Sequence, residues 1–437
     1  MHGRRRAARS CSSRRSSLPF LRPLAFAVAL SMLAVPAAAD MDARVRRILR
    51  AVPLVDGHND LPWRLREKVQ GHLTALDIGR DTAERDTLHT DLLRLRRGGV
   101  GAQFWSVYVP AEQSQEKAVV AVVEQIDLVH RMVQRYPRDL AIARTAADIE
   151  RIHRGRRIAA LIGVEGGHCI DNSLAVLRQL YALGARYMTL THNLGTDWAD
   201  ACCAAPVHEG LAPFGVEVVR EMNRLGMLVD LSHVSVATMH DALDTSAAPV
   251  IFSHSSAYAL TDHLRNVPDD VLRRLPANGG LIMVTFVPRF VSAQVMAYDA
   301  EVEAEKARLG IRSPGQKELQ KTHMETWSAA HPAPRATLQQ VADHIDHVVR
   351  VAGIAHVGLG SDFDGIERGP LGLEDVSRFP DLLAELLRRG YTDQDVGKIA
   401  GGNALRVLRR AEAVARELQA SRPVAETRFP TPTAARP

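Results

Sequence analysis

From Val52 onward the chain alternates short apolar runs, rich in β-branched residues, with longer stretches whose apolar residues recur every three or four positions. The runs Val52–Val55, Ala102–Val109, Ile158–Val164, Tyr187–Leu190, Met227–Leu231, Val250–Phe252, Leu281–Phe286 and His356–Leu359 read as strands. Lys117–Tyr136, Ser173–Leu183, Phe214–Leu225, Val236–Leu243 and Leu338–Ala352 read as amphipathic helices. Strands alternating with helices imply parallel pairing through right-handed crossovers. Eight such strands in roughly 300 residues predict a closed (β/α)8 barrel of TIM type. An open doubly wound sheet would carry a glycine-rich phosphate turn after its first strand, and Asp56-Gly57-His58-Asn59-Asp60 is not one.

Two regions break this rhythm. Residues 291–336 form a charged, partly helical insertion after the seventh strand, expected to project as a lid, a subunit contact or a solvated excursion. The segment 421–437 is rich in Pro, Ala and Thr and is expected to be disordered. The barrel domain is thereby assigned to residues 40–420.

The first 39 residues change the reading of charge and compartment. They hold seven arginines and no acid, so the remaining 48 basic and 50 acidic residues nearly balance. The sequence pI of 9.1 therefore gives no support to nucleic-acid binding. An arginine-rich start, an apolar stretch from Leu24 to Val35 and Ala37-Ala38-Ala39 read as a signal peptide cleaved before Asp40. That stretch is too short for the ~20 residues of a membrane span. Ser13-Arg14-Arg15 matches the twin-arginine route only weakly. A soluble exported protein, periplasmic or secreted and without a membrane anchor, is expected. After signal removal only Cys169, Cys202 and Cys203 remain, too few for a disulfide framework, although one bridge to Cys169 stays open.

Polar residues able to bind metal follow strand after strand. They are His58-Asn59-Asp60, Glu165-Gly166-Gly167-His168, Thr191-His192-Asn193, Ser232-His233, Ser253-His254-Ser255 and Ser361-Asp362-Phe363-Asp364-Gly365. A lone histidine at a strand end is usually structural, and Glu165 alone could cap a helix. Independent structural roles would not all fall at strand C-termini, which in a parallel barrel meet on one face. His and carboxylate donors without positioned thiolates suit Zn²⁺ or a similar ion. Three histidines and two carboxylates are too many for one open tetrahedral zinc, and they suffice for two ions sharing a carboxylate.

These signatures resemble the renal (membrane) dipeptidase family of zinc peptidases, from about Pro53 to Leu408. The resemblance is carried by Val55-Asp56-Gly57-His58-Asn59-Asp60-Leu61-Pro62-Trp63, Gln103-Phe104-Trp105-Ser106-Val107-Tyr108 and Ile162-Gly163-Val164-Glu165-Gly166-Gly167-His168. It continues in Asp230-Leu231-Ser232-His233-Val234-Ser235, Val250-Ile251-Phe252-Ser253-His254-Ser255-Ser256-Ala257 and Gly360-Ser361-Asp362-Phe363-Asp364-Gly365. It implies that His58 and Asp60 hold one zinc, that His233 and His254 hold the other, and that Glu165 bridges them. It further implies His192 and Arg265 as substrate-binding residues, the former near the scissile carbonyl, and Asp362 rather than Asp364 as the catalytic acid/base. Dipeptides with a free C-terminus, some with a D-residue in second place, and a homodimer are the expected substrates and assembly; certain β-lactams are an expected side activity. The cysteines depart from the mammalian disulfide pattern, and no hydrophobic tail suggests a lipid anchor.

Two other readings compete. Another binuclear amidohydrolase, acting on N-acyl amino acids or cyclic amides, would commonly carry a carbamylated lysine after the fourth strand, and Tyr187–Asn193 contains no Lys. A non-catalytic exported binding protein would have no use for Asp362 and Arg265 beside the metal residues.

Overall fold

The computed structural model describes residues 40–113, 115–309 and 314–430. Among the described residues nine strands form one sheet: β1 (Leu54–Asn59), β2 (Val100–Tyr108), β3 (Leu140–Ile142), β4 (Ile158–Glu165), β5 (Ala185–Thr189), β6 (Leu228–Asp230), β7 (Ile251–Ser255), β8 (Leu281–Val284) and β9 (Val357–Leu359). Every pairing is parallel. β2 pairs directly with β4 in register from Ala102↔Ala159 to Tyr108↔Glu165. β1 meets β9 at Asp56↔Leu359. Eight strands thus close into a (β/α)8 barrel, and β3 lies outside it against the start of β4. The apolar pattern does not predict β3, because three residues are too few to establish a period.

The barrel strands are buried almost throughout, as parallel strands covered on both faces must be. Helices start where the sequence supplies caps. Ser173 accepts from the Val176 N–H to open Leu174–Leu183. Thr337 and Gln340 form a capping box ahead of Leu338–Ala352. At the N-terminal end of the barrel, Phe104, Leu228, Ile251, Leu281 and Met283 pack with Ala404, Val407, Leu408 and Ala411. The C-terminal helix Asn403–Ser421 therefore stoppers that end, and the opposite mouth carries the polar residues.

The structure adds detail to three expectations. β1 runs to Asn59 and β7 to Ser255, so His58 and His254 lie within strands rather than after them. Polar side chains in a buried strand interrupt the apolar pattern from which boundaries are read. The insertion contains two longer helices, Ala293–Arg308 and Pro314–Ala330, joined by the Tyr298 and Trp327 rings at 5.8 Å. Of the tail expected to be disordered, residues 422–430 carry no regular structure, yet Phe429 packs edge-on against Phe214 at 5.3 Å and Ala425 accepts from Arg178 at 3.1 Å. Residues 431–437 and the expected signal over 1–39 lie outside the described residues.

Candidate active site and metal centre

Glu165, the last residue of β4, stands among four imidazoles. Its Oε1 lies 3.1 Å from His233 Nε2, 3.5 Å from His254 Nε2 and 3.7 Å from His192 Nε2. Its Oε2 lies 3.4 Å from His58 Nε2, which is 3.3 Å from Asp60 Oδ2. These residues arrive from β1, β4, β7 and the segments just after β1, β5 and β6, so the parallel barrel brings the expected set into one chamber.

The donor set fits a divalent cation. His58 Nε2 and Asp60 Oδ1 are buried with no hydrogen-bond partner, a costly arrangement unless a cation takes their lone pairs. His233 Nε2 and His254 Nε2 face each other at 3.0 Å. The other ring nitrogens of His58 and His254 are held from behind: His58 Nδ1 meets the Tyr187 hydroxyl at 2.8 Å and His254 Nδ1 meets Ser253 Oγ at 2.8 Å. Such partners leave Nε2 free to ligate. Burial holds His233 and His254 well below the usual histidine range, in the neutral form that binds metal. Burial would raise Glu165, but His58, His233 and His192 outweigh it and keep the carboxylate ionised.

Three groups have donors close enough to share an ion: His58, Glu165 and His254; Glu165, His192 and His233; and His58, Asp60 and Asp362. They cut across the expected two-by-two partition, because His254 falls between His58 and His233. Only Glu165 stands in both histidine groups, the position a bridging carboxylate requires.

Geometry separates the two aspartates that spacing alone left open. Asp362 joins His58 and Asp60, and burial, helped by Asp60 and Glu165, pushes its carboxyl well above the usual range. Asp364 also lines the cavity, but it is tied to the framework. Its Oδ1 accepts the His89 N–H at 2.8 Å and its carbonyl accepts Arg64 Nε at 2.8 Å. His233 (φ 70°), Asp362 and Asp364 (both φ 65°) occupy the left-handed region, a strain that concentrates at functional sites. A Cβ on Gly365 would come within 2.3 Å of both Asp362 Oδ1 and Asp60 Oδ2. Glycine keeps that space open.

The chamber opens into a cavity of about 680 Å³. His192 stands on its wall, its ring between those of His233 at 4.3 Å and Tyr108 at 4.9 Å. Arg265 is 4% exposed there. Its guanidinium donates to Ser255 Oγ and the His254 carbonyl, both at 3.3 Å, and forms no ion pair with a carboxylate among the described residues. Trp63 and Tyr108 pack edge-on at 4.8 Å, and Phe290 lies under Arg265 at 5.3 Å.

Sequence reasoning missed the residues that aim the ligands. Asp230 accepts from Thr189 Oγ1 and Ser253 Oγ, each at 2.6 Å, and Ser253 in turn holds His254. Tyr187 holds His58. Each is a polar group inside a buried strand, and that is the signal the sequence offers. The bridge to Cys169 is not formed: all three cysteines are free and Cys169 is fully buried.

The profile of the membrane dipeptidase family (peptidase family M19) matches residues 42–422. An uncharacterized dipeptidase of Schizosaccharomyces pombe is 43% identical over 389 residues, covering 86% of this chain and 84% of that protein. Dipeptidase verJ of Clonostachys rogersoniana is 41% identical over 388 residues, covering 86% and 89%. A crystal structure of a metallo peptidase from Rhodobacter sphaeroides, liganded with a phosphinate mimic of L-Ala-D-Ala, superposes with a TM-score of 0.67 at 25% identity, covering 82% and 99%. With a metal-binding cluster at the mouth of a (β/α)8 barrel and these relatives, the chain belongs to the membrane dipeptidase family and is a metallo-dipeptidase, a hydrolase of peptide bonds.

Proposed function

We propose that this chain binds two zinc ions and cleaves dipeptides that end in a free carboxylate, including some with a D-residue in second place. The observation that carries the reading is Glu165, whose two oxygens face different imidazoles of one chamber. Histidine nitrogens and carboxylate oxygens are donors suited to zinc. His58 and Asp60 would hold one ion, His233 and His254 the other, with Glu165 between them. Bound ions supply Lewis acidity and lower the pKa of water.

The chain's own groups do the rest. Asp362 takes the proton of the attacking water and returns it to the departing amine nitrogen, a role suited to a carboxyl raised by burial. His192, kept below the usual histidine range by burial and by Arg265, is neutral and donates a hydrogen bond to the oxygen where negative charge develops. Arg265, buried and without a carboxylate partner, pairs with the substrate's C-terminal carboxylate and so measures length from that end. The L-Ala-D-Ala mimic bound by the Rhodobacter sphaeroides peptidase supports tolerance of a D-residue. Export through the segment 1–39 and assembly as a homodimer complete the proposal.

A dipeptide panel varying chirality and C-terminal amidation, assayed with metal-loaded protein, tests it. Free-acid dipeptides should be hydrolysed and their amides spared. Preferential turnover of N-acyl amino acids or cyclic amides would overturn the assignment.

A further inference from the structure

Beside the metal chamber, but outside it, two cysteines adjacent in sequence hold their sulfurs in contact. Cys202 Sγ and Cys203 Sγ are 2.7 Å apart, closer than two unbonded sulfurs ordinarily approach. The turn bearing them is tied to the site: the Cys202 N–H donates to the His233 carbonyl at 2.7 Å, and Ala201 bridges Val234. Cys203 is exposed and lines the cavity together with Asn193, His263 and Arg265. Cys169, fully buried elsewhere, cannot compete for either sulfur.

We propose that Cys202 and Cys203 are a vicinal dithiol site at the cavity mouth that closes to a disulfide by exchange with a small-molecule or protein disulfide. Cys203, the exposed partner, attacks as its thiolate; the donor S–S bond breaks and one donor thiolate leaves. The Cys202 thiolate then attacks the mixed disulfide at the Cys203 sulfur and expels the second donor half. The two cysteines lose two protons and two electrons, and the donor becomes two thiols. Neighbouring Cα atoms lie ~3.8 Å apart, below the roughly 4.4–6.8 Å usual for disulfides. The closed form is therefore strained and readily reopened by a dithiol.

Closure also acts on the cavity, an effect that rests on the dipeptidase reading above. The pair is fastened to His233 and borders Arg265, so drawing the sulfurs together shifts the wall against which a substrate carboxylate would lie. KM should respond while bound metal stays.

The test uses the metal-loaded full chain carrying Cys11→Ser, whose remaining thiols are Cys169, Cys202 and Cys203; this parent is oxidised with glutathione disulfide, alkylated with iodoacetamide in denaturant and weighed intact. The expected product has lost two hydrogens, is alkylated at Cys169 but not at Cys202 or Cys203, and reverts with dithiothreitol. Cys202→Ser should instead carry one glutathione on Cys203. Both cysteines remaining alkylatable under conditions that modify Cys203 in Cys202→Ser, or a stable mixed disulfide in the parent, would overturn the site. KM for a free-acid dipeptide should rise on oxidation of the parent and fall back on reduction, with metal content constant. A disulfide that forms without moving KM removes the link to the cavity. A reduced, metal-loaded parent that cleaves no dipeptide fails the functional reading instead and leaves the mass result standing.

Discussion

The ring of Tyr187 fills the space that a side chain at residue 163 would need. A Cβ on Gly163 would fall 2.0 Å from Tyr187 Cζ, and the same ring carries the hydroxyl that holds His58 Nδ1 at 2.8 Å. The smallest residue of β4 thus sets the orientation of a candidate metal ligand on β1. Tyr187→Phe keeps the ring and removes only the hydroxyl, so metal affinity should fall by roughly 10–100-fold with little change in fold. Gly163→Ala should do the same and also lose about 1–3 kcal/mol of stability through overpacking. Metal titration and thermal melts of both variants check this. An unchanged affinity in Tyr187→Phe removes the hydroxyl from the account.

Metal content is the second expectation. Purified protein should hold about two divalent ions per chain, and chelation should abolish turnover until zinc is restored. Because ions bind the folded chamber and not the unfolded chain, Tm should fall on chelation. Elemental analysis and melting curves decide it. Full activity in excess chelator defeats the idea.

Asp362 and Asp364 should respond differently to the same change. Asp362→Asn should lower kcat by roughly 10²–10⁴-fold with metal retained. Asp364→Asn weakens the acceptor that holds the His89 N–H, so its main effect should be a stability loss of about 1–3 kcal/mol. Steady-state kinetics beside denaturant melts separate the two. Reversed results would move the proton shuttle to Asp364.

Arg64, Arg265 and Arg289 line the cavity, and the last two should not be interchangeable. Arg265 is 4% exposed, whereas Arg289 is exposed to solvent. Arg265→Ala should cost about 2–4 kcal/mol in kcat/KM for a free-acid dipeptide and erase most of the preference over its amide. Arg289→Ala should leave that preference standing. Equal preference in Arg265→Ala and parent would mean that another group reads the carboxylate.

His344, which does not line the cavity, gives a pH signature. Burial lowers its pKa from 6.5 to about 4, and its Nδ1 accepts the Ala257 N–H at 3.1 Å. A proton on that nitrogen would oppose the bond. Between pH 6.5 and about 4 the unfolded chain binds more protons at this residue, so stability should fall as pH drops through that window, by ~1.4 kcal/mol per unit of separation. His344→Gln should flatten the dependence in denaturant melts. An unaltered slope assigns the loss to other groups.

The barrel and most of its site were legible because apolar runs ended repeatedly in His, Asp or Glu, a pattern that only a shared face explains. What stayed hidden depended on packing between distant strands. Tyr187 looks like any core aromatic until Gly163 is seen to make room for it. Asp230 and Ser253 gain meaning only once His254 is found inside its strand. Asp362 and Asp364 are indistinguishable by spacing, and only the fold turns one toward Asp60 and the other toward His89.

The seam between β1 and β9 also sets a clock. Asp56 accepts from the Ser361 N–H and hydroxyl, each at 2.7 Å, across that seam. β1 is therefore among the first strands synthesised and among the last to find both neighbours. At ~5–20 residues per second, the ~300 intervening residues take on the order of 15–60 s to emerge. During that interval one edge of β1 has no native partner, and the helix that stoppers the barrel follows later still. Closure of the ring thus waits for its last strand to emerge, and a chain cut before Asn403 would leave the ring without its stopper.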